Sequence, residues 1–287
     1  MRANEQAHKN SGVKHPLLAQ YPLALPGYQQ IETLHESDNA IILLARKTNG
    51  AAVVIKRFKF DASHLAQDLI DEFILESKAL ALLAHPGLVQ PLDAGISSGT
   101  LYMIMEYVPG ITLRRHLAAS GNPSAAQALQ WFEEIALALG VIHGIGLLHQ
   151  DLKTSNIIVR HDQSLALLDF GLETRLLVAS GFLREDEIYC TPYYISPERI
   201  IGDPPDERTD LYALGVILYE LLVGHKPYES TTLEGLLKKH ALAPIPSLPD
   251  NVSAYQPLIN GLLAKFPENR LPSAETAVQL LHEISQR

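Results

Sequence analysis

Three polar residues share one short segment. In HQDLKTSN, residues 149–156, the acid Asp151 stands two positions before the cation Lys153, and the amide Asn156 follows three further on. Apolar runs flank the segment, GIGLL before it and IIV after it. Taken alone this is turn chemistry, because Asp, Thr, Ser and Asn side chains hydrogen-bond nearby backbone and favour bends. Asp169 follows the apolar run LALL and precedes Phe170 and Gly171. That position suits a metal ligand, and it equally suits a turn. Lys56 ends the apolar run VVI and, with a period of two, shares a face with Val54. Glu76 lies mid-way along the next helical stretch, where it is either a solvated acid or an ion-pair partner for Lys56. The twelve histidines are scattered without metal-site spacing, and His143 and His149 read as structural or surface residues.

The elements that must hold these groups divide into two textures. Residues 1–26 are rich in proline and read as an extended or partly disordered arm. From Tyr28 onward, short β-branched runs alternate with turn signals. AIILLARK and AAVVIKRF flank TNG, which predicts an antiparallel hairpin. Residues 63–84 have helical period, with Leu69, Phe73, Leu80 and Leu83 on the apolar face. Two strands follow, LVQPLD and LYMIMEYV. Beyond Gly110 the texture turns helical. SAAQALQWFEEIALALGVIHGIG predicts a long helix with a capping box at Ser124 and Gln127. DLYALGVILYELLVG is apolar nearly all round and predicts a buried helix closed by Gly224. Two more helices are expected after it, the last from about Ser273. The reading is an α+β chain with a small sheet-rich lobe over 27–107 and a larger helical lobe over 108–287.

Composition narrows the class. The chain has 287 residues, 47% of them hydrophobic and 19% charged, which suits a folded globular protein. A formal net charge of −9 with no local basic cluster argues against nonspecific binding to nucleic acid or to an anionic membrane. A single cysteine, Cys190, rules out an intrachain disulfide and fits a reducing, cytoplasmic setting. No apolar run reaches the roughly 18 residues of a membrane span, and no signal peptide opens the chain.

Further motifs follow in order: CTPYYISPE at 190–198, TDLYALG at 209–215 and KFPENR at 265–270. With Lys56, Glu76, HQDLKTSN and DFG, they make the chain resemble the eukaryotic-type Ser/Thr protein kinase catalytic domain, nearest in texture to its bacterial members, over about residues 28–285. The resemblance implies a bilobal kinase-like fold and the transfer of the γ-phosphoryl group of ATP, with Mg²⁺, to a protein serine or threonine. It implies that Asp151 accepts the proton of the substrate hydroxyl, that Lys153 neutralises the moving phosphoryl group, and that Asn156 and Asp169 hold Mg²⁺. Lys56 would grip the α- and β-phosphates and Glu76 would hold Lys56. Base, cation and metal ligand share one loop because all must meet at one phosphorus atom. MEYVPG resembles the hinge, with Met105 as gatekeeper. The carbonyl of Glu106 and the amide of Val108 would meet the adenine edge, and Ile42, Val54 and Ile158 its faces. His149 and Phe170 resemble an internal hydrophobic column, Glu198 and Arg270 a buried ion pair, and Asp210 an acid that caps the buried helix and holds the catalytic loop.

The pattern also breaks. The family's G-x-G-x-x-G register reads HESDNA, with His35, Ser37 and Ala40 at the three glycine positions. Side chains there restrict a loop that must approach phosphates, and Glu36 and Asp38 add negative charge beside a polyanion. Gln150 replaces the arginine that would clamp a phosphate on the activation segment, so that segment is expected to work without phosphorylation at Thr174 or Ser180. Two alternatives stand beside the active kinase. One is a pseudokinase scaffold. The other is a small-molecule phosphotransferase, which the TPYYISPE segment with Arg270 disfavours.

Overall fold

The computed structural model describes residues 25–168, 176, 179, 180 and 192–286; Asp169, Phe170, Thr174, Cys190 and Thr191 lie outside them. Five strands, β1 (Tyr28–Glu36), β2 (Ala40–Lys47), β3 (Ala52–Asp61), β4 (Pro91–Ser97) and β5 (Thr100–Glu106), form one antiparallel sheet in the order β1-β2-β3-β5-β4. The expected hairpin is present. Lys47 N–H donates to Ala51 O at 2.8 Å, and Gly50 takes a positive φ of 88°, which glycine adopts at no steric cost. Period-two alternation sorts the two faces. Ile41, Leu43, Ala45, Val53, Ile55 and Ile104 form a small outer core, against which Leu25, Tyr28 and Tyr102 pack. Leu25 lies within the stretch read as an arm and packs against this core.

Helix α1 (Gln67–Ala81) packs along β4 and buries Ile70, Phe73, Ser77 and Leu80. It begins later than its sequence period, because Asp61 caps a separate short turn at Ala62–His64. The run LVQPLD, expected as a strand, is divided. Leu88 and Val89 leave the sheet and bind the other lobe: Val89 N–H donates to Leu167 O at 3.0 Å, and Leu167 N–H to Gly87 O at 2.9 Å. The strand itself starts at Pro91. This exchange ties the two lobes by backbone.

The larger lobe opens with β6 (Ile111–Thr112), α2 (Leu113–Ser120) and α3 (Ala125–His143). Ser124 caps α3 by accepting from Gln127 N–H at 3.2 Å, but the Gln127 side chain reaches forward to Gln130. Only the serine half of the expected capping box is therefore made. β7 (Ile157–Val159) and β8 (Leu165–Leu167) complete a three-stranded ribbon with β6. After α4 (Pro197–Ile200), the buried helix α5 (Glu207–Val223) ends at Gly224, whose φ is 93°. Three helices follow rather than two: α6 (Leu233–Leu242), α7 (Gln256–Leu262) and α8 (Ala274–Ser285), the last capped by Ser273. One core runs from Phe58 and Phe73 in the small lobe through Trp131, Phe132 and Tyr212 in the large one. Among the described residues, no helix is long and apolar enough to cross a membrane.

Candidate active site

The polar loop between α3 and β7 is held from below by one carboxylate. Asp210, in the first turn of α5 and only 1% exposed, accepts from the backbone N–H groups of His149 and Gln150, each at 2.8 Å. His143 Nε2, at the end of α3, reaches the same carboxylate at 2.9 Å. Asp210 does not cap its helix. Asp206 does, accepting from Arg208 N–H at 2.8 Å in a capping box with Thr209. The grip fixes Gln150 at a φ of 59°, a conformation uncommon outside glycine. The chain is thereby bent so that the next side chain, Asp151, faces its own loop.

There the three residues singled out by spacing meet. Lys153 Nζ donates to Asp151 Oδ2 at 2.6 Å. Asn156 Nδ2 donates to the same oxygen and to the Asp151 carbonyl, both at 3.0 Å. With its amide nitrogen spent on Asp151, Asn156 still carries an amide oxygen, the atom type that a hard divalent cation takes. Asn156 O accepts from Leu168 N–H at 2.8 Å, so the loop also fixes the residue just before Asp169. Asp169 itself is outside the described residues. Asp151 and Lys153 are each about a fifth exposed, open to a reactant on one side.

Sequence reasoning missed a second anchor. Thr154 Oγ1 bonds Tyr194 OH at 3.0 Å, Tyr194 OH reaches Glu220 Oε2 at 3.0 Å, and Lys226 Nζ closes on Glu220 Oε1 at 2.6 Å. Burial, then the charge of Glu220, raises the Tyr194 phenol, so it stays protonated and able to donate. Burial would depress the Lys226 ammonium, but the neighbouring Tyr194 and Glu220 outweigh it and raise it. These residues lie up to 72 positions from Thr154; Tyr194 falls in the CTPYYISPE motif, but nothing in that motif signals the contact. The pair Glu198–Arg270 is bidentate, at 2.9 and 3.0 Å. Burial alone would raise the Glu198 carboxyl, but the hydrogen bond and charge of Arg270 hold it below its ordinary value.

Lys56 is 5% exposed in β3, in register with Ile42 on β2 and Met103 on β5. Glu76 is half-buried on α1. Val54 pairs with Met105. Met105 belongs to the main core, and Val54, Val108 and Ile158 pack against it, whereas Ile42 is half-buried on β2. Glu106 is held by a reciprocal pair: its N–H donates to Gln90 O at 3.0 Å, and its carboxylate accepts from Gln90 N–H at 3.1 Å. Past it, Gly110 runs so close to β7 that a Cβ there would strike the Val159 carbonyl and come within 2.7 Å of Ile158 Cγ2.

The HESDNA segment forms a short closed turn. Ser37 N–H donates to Ala40 O at 2.9 Å, Ala40 N–H to Ser37 Oγ at 3.2 Å, and Ser37 Oγ to Asn39 Oδ1 at 2.6 Å. Glu36 points to the outer face, where Lys59 Nζ meets it at 2.7 Å. Its charge is thus matched there rather than set over the cleft, against the sequence expectation.

Residues 28–282 match the family described as protein kinase domain. Three curated relatives illustrate the similarity. Serine/threonine-protein kinase PrkC of Bacillus subtilis is 32% identical over 78% of this chain and 35% of its own length. Serine/threonine-protein kinase PkaA of Streptomyces coelicolor is 31% identical over 83% of this chain and 44% of its own. Serine/threonine-protein kinase PknB of Mycobacterium leprae is 32% identical over 70% of this chain and 34% of its own. The match therefore spans less than half the length of each of these relatives.

Proposed function

Because this chain belongs to the protein kinase family, we propose that it transfers the γ-phosphoryl group of Mg-ATP to a serine or threonine hydroxyl of a protein. The observation that carries the reading is the convergence of Lys153 and Asn156 on Asp151, at 2.6 and 3.0 Å, on a loop whose backbone is pinned to Asp210. In this reading the substrate hydroxyl approaches Asp151, which orients it and takes its proton as the new oxygen–phosphorus bond forms. The bond between the γ-phosphorus and the bridging oxygen breaks, and ADP leaves. Lys153 offsets negative charge on the phosphoryl oxygens during the transfer, the electrostatic help that this reaction class requires most.

Asn156 and Asp169 would hold Mg²⁺, through side-chain oxygens of the kind a hard cation prefers. When bound, the ion neutralises the polyphosphate. Lys56 would contact the α- and β-phosphates and Glu76 would fix its ammonium. Adenine would lie between Ile42 and Val54 above and Ile158 below. Its edge would meet Glu106 O and Val108 N–H beside Met105. The single cysteine fits a reducing compartment, and the cytoplasm is the location we propose for this domain.

The test uses γ-labelled ATP, Mg²⁺ and a general acceptor protein. Asp151→Asn should lose label transfer by at least a hundredfold, the usual scale of a general base, while its thermal unfolding stays close to wild type. Undiminished transfer by Asp151→Asn would remove Asp151 from the mechanism.

A further inference from the structure

Strand register makes a row of side chains across the roof of the cleft that sequence order conceals. His35 on β1 faces Ile42 on β2, Ile42 faces Lys56 on β3, and Lys56 faces Met103 on β5. Directly opposed residues of antiparallel strands lie on the same face of a sheet. A second observation agrees: Glu36, the next residue along β1, opposes Ile41 of the outer core and bonds Lys59 on that outer side. The β1–β2 register shifts between Thr33 and His35 but is regular from His35 to Glu36, so by alternation His35 points the other way, into the cleft. Exposure along the row rises from buried Met103 and Lys56, through half-buried Ile42, to exposed His35, so the row runs from the interior to the mouth.

Resting on the nucleotide reading above, we propose that His35 is a phosphate-binding residue, its imidazole facing Lys56 across the polyphosphate chain of the bound nucleotide. The two Cα atoms are two strand spacings apart, about 10 Å. With both side chains extended inward, the remaining gap suits one phosphate group. The closed turn supplies the need for such a donor. The Ser37 and Ala40 N–H groups are spent inside it, on Ala40 O and Ser37 Oγ, so they are not offered to a ligand. A side-chain donor from the cleft face of the same hairpin replaces those backbone donors.

The experiment is calorimetric titration of the full chain with Mg-ATP, ADP and adenosine, for wild type, His35→Ala and His35→Gln. Losing one hydrogen bond to a charged group should weaken Mg-ATP and ADP by roughly tenfold or more in His35→Ala. Adenosine binding should be unchanged, and His35→Gln, which keeps an N–H donor, should recover part of the loss. Because His35 is exposed, the ligand-free melting temperature should hardly move. Equal or tighter Mg-ATP binding by His35→Ala would overturn the assignment. Parallel weakening of adenosine would place the contact on the nucleoside and overturn the phosphate role. A wild type that binds none of the three ligands would instead bring down the nucleotide reading itself.

Discussion

Removing Arg270 should cost this protein a large part of its stability, and the size can be worked from the contacts. Its guanidinium holds Glu198 at two points and donates to the Ala264 carbonyl at 3.1 Å and the Arg208 carbonyl at 2.6 Å. It also stacks 5.1 Å from the Tyr212 ring. Both partners are nearly sealed, Glu198 at 5% and Arg270 at 4% exposure. Arg270→Met keeps much of the bulk but leaves Glu198 a buried anion without its cation, though Thr209 Oγ1 still lies 3.0 Å away. Breaking a buried pair from one side costs about 3–5 kcal/mol, against roughly 5–15 kcal/mol for a whole fold. The melting temperature should fall by about 6–20 °C, at roughly 2–4 °C per kcal/mol for a protein of this size.

The acid side supplies a second readout. In the wild type the Glu198 carboxyl is depressed, so its contribution is present above the ordinary glutamate value and lost as pH falls through the lower, folded one. In Arg270→Met that support is gone and burial favours the neutral acid. The stability gap between the two proteins should therefore narrow as pH is lowered toward about 4. Glu198→Gln combined with Arg270→Met should lose about 2 kcal/mol less than the sum of the single variants. Urea denaturation at several pH values measures all of this. Single losses under about 1 kcal/mol, or a strictly additive double variant, would refute the reasoning.

Two further outcomes follow from the large lobe and the linker. Burial, then the charge of Lys265, depresses the His240 imidazole to about 3, and its Nδ1 lies 2.9 Å from Tyr212 OH. A depressed histidine lends stability above its unfolded value of about 6.5 and loses it as pH falls. Two units of descent should remove up to about 3 kcal/mol. Thermal melts of wild type should thus fall more steeply between pH 6.5 and 4.5 than those of His240→Phe, and parallel curves would discard the argument. Gly110→Ala should push the linker off Ile158 and Val159, costing about 1–3 kcal/mol as overpacking does and shrinking the melting-temperature rise produced by Mg-ATP. An unchanged melt and an unchanged nucleotide response would mean that the linker has room to shift.

What sequence could show here depended on how local each cause was. The hairpin at TNG, the end of α5 at Gly224 and the cap of α8 at Ser273 are decided within a few residues, and each stands where the pattern put it. LVQPLD failed because alternation cannot say which lobe a strand serves, and Leu88 and Val89 serve the other one. One of the last helices escaped notice because α7 is only seven residues long, with Pro257 near its start. The resemblance placed the cap of α5 on Asp210, but Asp206 makes it. Either acid fits an N-terminal turn, and only the approach of the 149–150 backbone shows that Asp210 is occupied elsewhere.

The same distinction explains how the site is built. Asp151, Lys153 and Asn156 were legible because they sit on one loop, but a polar loop cannot hold its own shape against water. Its two supports enter from distant parts of the chain. One is the Asp210 carboxylate, which takes two consecutive backbone N–H groups and so sets the bend at Gln150. The other is the chain of bonds from Thr154 through Tyr194 and Glu220 to Lys226, which ties the loop to residues 192–194 and to α5. Both are anchored, through Asp210 and Glu220, on α5, a helix buried on nearly every side. Since α5 can shift only if the core around Tyr212 and Leu218 is disrupted, Asp151, Lys153 and Asn156 inherit the rigidity of the hydrophobic interior while remaining at its surface.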